Sequence, residues 1–366
     1  FNRTRGGYQI ERSLRFNSAD SANLSRTPSG SGTSVQKFTY SVWFKRSNFP
    51  SVASLFRARN TGSTTEDGMR LNGDKFQFYG NNGIDWVILT TEVFRDPTAW
   101  YHLVVAVDTT QATAADRIKV YHKNTQITTF DSASYPSLNY NFAYLNTANV
   151  HTIGNTLTAS SYWDGYMTEI YFIDGQQLTP SSFGETSATT GAWNPKAYSG
   201  SYGTNGFYLK FADNSGTTAT TLGKDSSGNG NNWTPNNFSV TAGAGNDSLT
   251  DTPTNYGSDT GAGGEVRGNY CTLNPVGFVY VASPTLANGG LDWSTSGTDS
   301  AAIGTLLMQS GKWYFEATIN SFGGVQDFYV GIFKSSGIGA SPYSSSSRLY
   351  YRDGRKYDGS LASYGN

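Results

Sequence analysis

Three histidines and a scatter of carboxylates are the side chains here that could do chemistry. His102 and His122 flank two apolar runs, and His151 stands apart from both. Acid–base or metal chemistry at His102 and His122 needs a third ligand or an orienting partner. The sequence offers neither at a telling spacing, so ordinary strand histidines are the better reading. Glycoside cleavage needs two carboxylates about 5–9 Å apart across the sugar bond. Glu169 and Asp174 stand five apart, which on a continuous strand points them to opposite faces. Glu66, Asp67 and Asp74 sit among turn residues and read as solvated loop acids. No Ser/His/Asp constellation and no glycine-rich phosphate loop is present. Cys271 is the one cysteine, which excludes a thiolate zinc cluster and an intrachain disulfide.

Binding is the remaining chemistry. The chain carries 24 Tyr, 21 Phe and 8 Trp among 366 residues. Most such rings fill cores or subunit contacts. Trp86, Tyr162, Trp163, Trp193 and Trp233 lie close to loops, where a ring can stack on a sugar. Of these, Trp163 and Trp233, with Asn231 and Asn232 beside the latter, are the preferred glycan contacts. Net charge is -1, so a phosphate backbone finds no basic surface and nucleic-acid binding is excluded as the main role. No apolar run reaches the roughly 20 residues that span a bilayer. The chain begins at Phe1 without the apolar stretch of a signal peptide, which reads as a processed chain, a fragment or part of something longer.

The elements that position these residues are strands. Residues 100–130 form the centre: Leu103-Val104-Val105-Ala106-Val107, then a polar loop, then Ile118-Lys119-Val120-Tyr121 with period two. Branched and aromatic residues at that period suit a half-buried sheet. Phe38, Tyr40, Val42 and Phe44 share one face of a further strand, and Asn72-Gly73 marks a hairpin. The run Trp163-Asp164-Gly165-Tyr166-Met167-Thr168-Glu169-Ile170-Tyr171-Phe172 alternates again. Thr179-Pro180 predicts one helical turn near Phe183. Residues 241–270 are dominated by Thr, Gly, Asp and Asn and read as a linker. Strand patterns then restart at residues 277–281, 304–308, 311–319 and 327–333. The fold class is therefore all-β, in two sandwiches.

The first segment resembles a concanavalin A-like jelly roll of laminin-G or pentraxin type. Trp100-Tyr101-His102-Leu103-Val104-Val105 followed by Val120-Tyr121, the Trp163 to Phe172 run, and the loop Asp225-Ser226-Ser227-Gly228-Asn229-Gly230-Asn231 carry that resemblance. The loop stands last here, whereas it often opens such domains. Gly311-Lys312-Trp313-Tyr314-Phe315-Glu316 with Val330-Gly331-Ile332 is similar to a SPRY domain, whose later strands the chain lacks. The set together resembles structural or fibre proteins of tailed, especially marine, phages.

These resemblances imply residues 1–240 as the jelly roll, 241–270 as linker and 271–366 as an incomplete SPRY-like sandwich. Glucanases of this fold place their acids on one strand in an E-x-D-x-x-E pattern, which is absent, so no enzyme is expected. Relatives often hold calcium through loop oxygens. Asp164 and Asp225 are the positions it would use, with Asp67 and Asp74 further candidates, and turn chemistry is the stronger reading for all four. The implied role is a virion structural protein on the extracellular face of the particle. Its partners would be other virion proteins, further copies of itself in a homo-oligomer, and a host-surface glycan. An adhesive lectin and a polysaccharide depolymerase are the alternatives.

Overall fold

The computed structural model describes residues 7–60, 62, 64–155, 161–257, 266–276, 284–296, 300–321, 328–334 and 347–363. The chain divides into two units, Phe1–Tyr270 and Cys271–Asn366.

Two antiparallel sheets make the first unit. One orders its strands Thr125–Ile127, Ile118–His122, Tyr101–Asp108, Lys37–Arg46, Gly165–Asp174, Ser13–Phe16 and Ser248–Leu249, with Phe207–Leu209 also paired to Gly165–Asp174. The other runs Phe130–Ser134, Trp86–Val93, Lys75–Gly80, Glu66–Asn72, Val52–Arg59, Val150–Ile153, Asn23–Arg26 and Thr234–Asn236. Phe38, Tyr40, Val42 and Phe44 do share a face, and all four are fully buried between the sheets. Their register opposite Val107, Val105, Leu103 and Tyr101 stacks branched and aromatic side chains in pairs. The Tyr40 ring lies parallel to Phe56 of the other sheet at 5.0 Å, so the two inner faces meet through aromatics. This is a concanavalin A-like jelly roll.

Alternation suggested a wetted outer face on the first sheet, yet Trp43, Lys45, His102, Val104 and Ala106 are all buried there. The chain itself roofs them. Leu178, Phe183, Tyr198 and Tyr202 pack on Tyr171, Tyr208, Val104 and Ala106. The expected helical turn is the 3-10 segment Pro180–Ser182 within this roof, although Thr179 makes no side-chain cap.

Part of the stretch read as linker completes the roof. Ser248–Leu249 pairs with Ser13–Phe16. Asp247 holds the buried Arg15, and Asp251 holds the buried Lys45. Few large apolar residues mark this segment because it docks through ion pairs instead.

Among the described residues, the second unit has a hairpin, Thr285–Ala287 with Asp292–Ser294, and a meander of Tyr329–Phe333, Ser347–Tyr351, Arg355–Tyr357 and Leu361–Ser363. The runs 304–308 and 311–319 are not strands. Among the described residues, Gly304 makes an isolated antiparallel bridge with Leu273 and 311–319 pairs with no strand, and Trp313, Tyr314 and Phe315 are exposed. The strand expected at 277–281 falls outside the described residues.

Candidate functional site

The tryptophans chosen as sugar platforms are core. Trp163 and Trp233 are both fully buried, and Trp86 nearly so. Trp163 meets Phe44 edge-on at 5.2 Å, and Trp233 meets Phe207 at 4.9 Å. Backbone bonds from Trp163 to Gly154 and from Trp233 to Gly223 turn both rings inward. Their polar flanks signalled loops, but the loops close over the ends of the sandwich. Asn231 spends its amide on the carbonyls of Thr204 and Gly206, while its oxygen accepts from Arg26. The Asn232 oxygen accepts from the Asp225 backbone N–H. Both asparagines are loop fasteners. Tyr162 is partly exposed, and Trp193 lies half-buried in the roof.

The calcium candidates do not fit a cation. Asp225 accepts from the backbone N–H groups of Tyr208, Ser227 and Asn231 and from the Ser227 hydroxyl. Asp164 accepts from both the N–H and the hydroxyl of Ser18. Asp67 takes three backbone N–H groups, and Asp74 takes Arg46 and Arg95. Donor hydrogens point at these oxygens, where a cation would need bare lone pairs. Turn and ion-pair chemistry explains them. Glu66 and Asp67 also belong to the strand Glu66–Asn72 rather than to a loop.

His102 does meet a serine: its Nε2 lies 2.8 Å from Ser41 Oγ. The tautomer is the wrong one for catalysis. Trp193 Nε1–H donates to His102 Nδ1 at 2.9 Å, so Nε2 carries the proton and donates to Ser41. Burial pushes this imidazole down to about 3. It stays neutral and withdraws no proton from the hydroxyl. His122 pairs in register with Leu103, hence lies on the opposite face, and contacts Glu92 at 2.5 Å. His151 accepts from the Asn146 N–H and bonds the Asn149 carbonyl.

Glu169 is a group whose setting the sequence hid. The strand Gly165–Asp174 is not continuous in register: it bulges between Thr168 and Tyr171, with Glu169 at φ +50°. The carboxyl is buried and accepts from the hydroxyls of Tyr8, Tyr171 and Tyr208 at 2.9, 2.8 and 2.7 Å. Burial raises it to about 7 against those bonds. Asp174 is buried as well, and it fastens Thr33, Ser34, Asn146 and Asn205. Neither acid faces an open groove with the other.

The outer face of the second sheet is different. Alternation along Val52–Arg59 and Glu66–Asn72 turns Arg57, Arg59, Gly68 and Arg70 outward, with Arg57 opposite Gly68 and Arg59 opposite Glu66. Tyr79 is in register with Gly68 on the next strand. A Cβ on Gly68 would meet Tyr79 Oη at 2.8 Å and Arg57 Cβ at 2.9 Å, so the bare position lets the tyrosine cross the sheet. The Arg70 guanidinium covers its ring at 4.5 Å and bonds Gln77. Glu66 accepts from Arg57 and from the Tyr79 hydroxyl. Arg59, Arg70, Val87 and Leu89 reach solvent. The alternating Phe56-Arg57-Ala58-Arg59 pattern was a signal for this face.

Residues 17–182 match the family model of the concanavalin A-like lectin/glucanases superfamily. Among solved structures, the chain is similar to a candidate carbohydrate-binding protein of Bacteroides ovatus at 13% identity and a TM-score of 0.40, covering 63% of this chain. The alignment spans 59% of that protein's length. A heptameric SAP-like pentraxin of Limulus polyphemus matches at 12% identity over 48% of this chain and 82% of its own, with a TM-score of 0.36. The CBM40 of a Ruminococcus gnavus IT-sialidase, bound to α2,3-sialyllactose, matches at 13% over 38% and 84%, with a TM-score of 0.27. No curated protein matches the chain.

Proposed function

We propose that this protein is a non-enzymatic surface component of a phage particle. It recognises a saccharide through the outer face of its second sheet and is seated by contacts with its own copies and with other particle proteins. One observation carries the recognition role. The chain roofs the outer face of the first sheet with its own segments, while the second sheet keeps Arg59, Arg70, Val87 and Leu89 toward solvent. A mixed apolar and hydrogen-bonding surface on a rigid sheet suits a sugar, which has both kinds of face.

The absence of catalysis is supported by chemistry already described. His102 holds its proton on the nitrogen that faces Ser41, and Glu66 is spent on Arg57 and Tyr79. The sequence resemblance to phage fibre proteins supports the particle setting. No described helix is long and apolar enough to cross a membrane.

The test is a glycan array probed with the whole chain, with the eluted sugars analysed for cleavage. Retention of intact saccharides is expected. Shortened products would make the protein an enzyme, and no retention of any saccharide would remove the recognition role. Imaging of the assembled particle separates a seated structural component from a free adhesin.

A further inference from the structure

We infer that the saccharide bound on the second sheet is an acidic one, its carboxylate or sulfate held by the half-buried arginines Arg59 and Arg70, beside the buried Arg57. This rests on the recognition role proposed above and names the class of ligand for that same face.

The charge there is uncompensated. Three arginines face one carboxylate, Glu66, which leaves an excess of two positive charges (three minus one) in a chain whose net charge is -1. Arg59 and Arg70 are held by no carboxylate among the described residues. Arg70 has only Gln77 and the Tyr79 ring. Arg57 is buried and held by Glu66 and Thr152, whereas Arg59, which reaches solvent, has its Nε buried with no hydrogen-bond partner. A buried donor left unmet costs about 1–3 kcal/mol, more when charged, and an anion is the partner that removes this cost. Burial lowers Arg57 to about 9, with Tyr79 opposing the shift and the neighbouring charges of Arg59 and Arg70 adding to it.

The neighbouring strand says what the anion is attached to. Val87 is in register with Tyr79 and Leu89 with Gln77, so a half-buried apolar strip runs beside the arginines on the same face. A bare inorganic anion has no use for that strip. A sugar ring lays its C–H face on it while a substituent reaches the guanidinium fork, whose planar donors match carboxylate and sulfate oxygens. A nucleic acid would need far more cationic surface than three side chains.

The experiment is calorimetric titration of the whole chain with three probes of one length: a uronic-acid oligosaccharide, its carboxyl-reduced counterpart, and a neutral oligosaccharide bearing sulfate esters. Arg59→Gln and Arg70→Gln are compared with Lys123→Gln, an exposed residue of the first sheet's edge. Arg59 and Arg70 hold no ion pair, so both variants are expected to fold, which a thermal melt checks. An acidic probe should bind about ten-fold or more tightly than the reduced one, and each arginine variant should lose about ten-fold. Lys123→Gln should change nothing. Binding of the sulfated probe alone supports the inference and assigns the anion to sulfate. Equal binding of the reduced probe, undisturbed by the arginine variants, overturns the acidic class while leaving saccharide recognition intact. Failure of every probe here and on the array removes the recognition role, and this inference with it.

Discussion

The Tyr8 hydroxyl donates to Glu169 Oε2 at 2.9 Å across 161 positions of sequence, and this bond pins the start of the chain to the bulge of a central strand. Neighbouring bonds extend the pin. Ile10 is bonded through its N–H by Thr254 and through its carbonyl by Tyr256, and Arg12 receives the Thr168 hydroxyl. The first segment is thus tied to the returning stretch at Thr254 and Tyr256 and to the central strand at Thr168 and Glu169.

Stability should therefore fall as pH rises toward neutrality. The Glu169 carboxyl is raised from 4.5 to about 7 in the fold, so the fold favours its neutral form. That contribution is complete below about 4.5 and is lost as pH climbs through about 7. Linkage puts the loss on the order of 3 kcal/mol. The groups facing the carboxyl are Tyr8, Tyr171, Tyr208 and, at longer range, Lys210. Urea unfolding at pH 5 and pH 8 should show the drop in the wild-type chain. Glu169→Gln should flatten it, and an equal drop in that variant would assign the effect elsewhere.

Asp251→Ala should be among the most damaging single changes. Lys45 is fully buried, with its Nζ 2.8 Å from Asp251 Oδ2, 2.8 Å from Asn269 Oδ1 and 2.7 Å from the Tyr270 carbonyl. Trp100 Nε1–H donates to the same carboxylate. Removing Asp251 strands a buried ammonium at a cost of about 3–5 kcal/mol. Exchanging both partners for apolar residues, Lys45→Met with Asp251→Leu, should recover most of it. Guanidinium unfolding of the single and double variants reads the difference.

Trp233→Ala should cost about 3–5 kcal/mol of stability, as core tryptophan truncations do. In the fraction that folds, saccharide affinity should match wild type. A selective loss of affinity without destabilisation would restore Trp233 as a contact residue and count against the arginine face.

The Ser41–His102 pair gives a chemical prediction. A fluorophosphonate probe should leave Ser41 unlabelled, because Ser41 is fully buried and His102 donates to its hydroxyl rather than accepting from it. Trp193→Phe strands His102 Nδ1 without a donor and should cost about 1–3 kcal/mol. Labelling of Ser41 in either protein would mean that the roof opens and that His102 accepts from the hydroxyl.

The strands with large apolar residues at period two are legible in the sequence: Lys37–Arg46, Tyr101–Asp108 and Ile118–His122 all lie where the alternation puts them. Hydrophobic periodicity reports on burial between sheets, and these strands are buried that way. It does not report on a face roofed by polar means, so the returning segment that brings Asp247 to Arg15 and Asp251 to Lys45 read as linker. Trp163 and Trp233 misled for a related reason. Their neighbours are turn formers, and a turn that folds inward has the same composition as one that faces water. Asp225 makes the local Asx-type bond to Ser227 that turn composition implies, whereas the bonds of Asp164 to Ser18 cross 146 positions and leave no local mark. The bulge at Glu169 carries no compositional mark, and the unmet donor of Arg59 exists only once the strands are paired.

The central claim is recognition without cleavage at the arginine face. It is tested most directly by incubating the whole chain with an immobilised acidic glycan, measuring bound protein and newly formed reducing ends together. Saturable binding is predicted, with no reducing ends above the protein-free control and with loss of binding in the Arg59→Gln, Arg70→Gln double variant. Reducing ends that grow with time, or a double variant that binds as well as wild type, would contradict it.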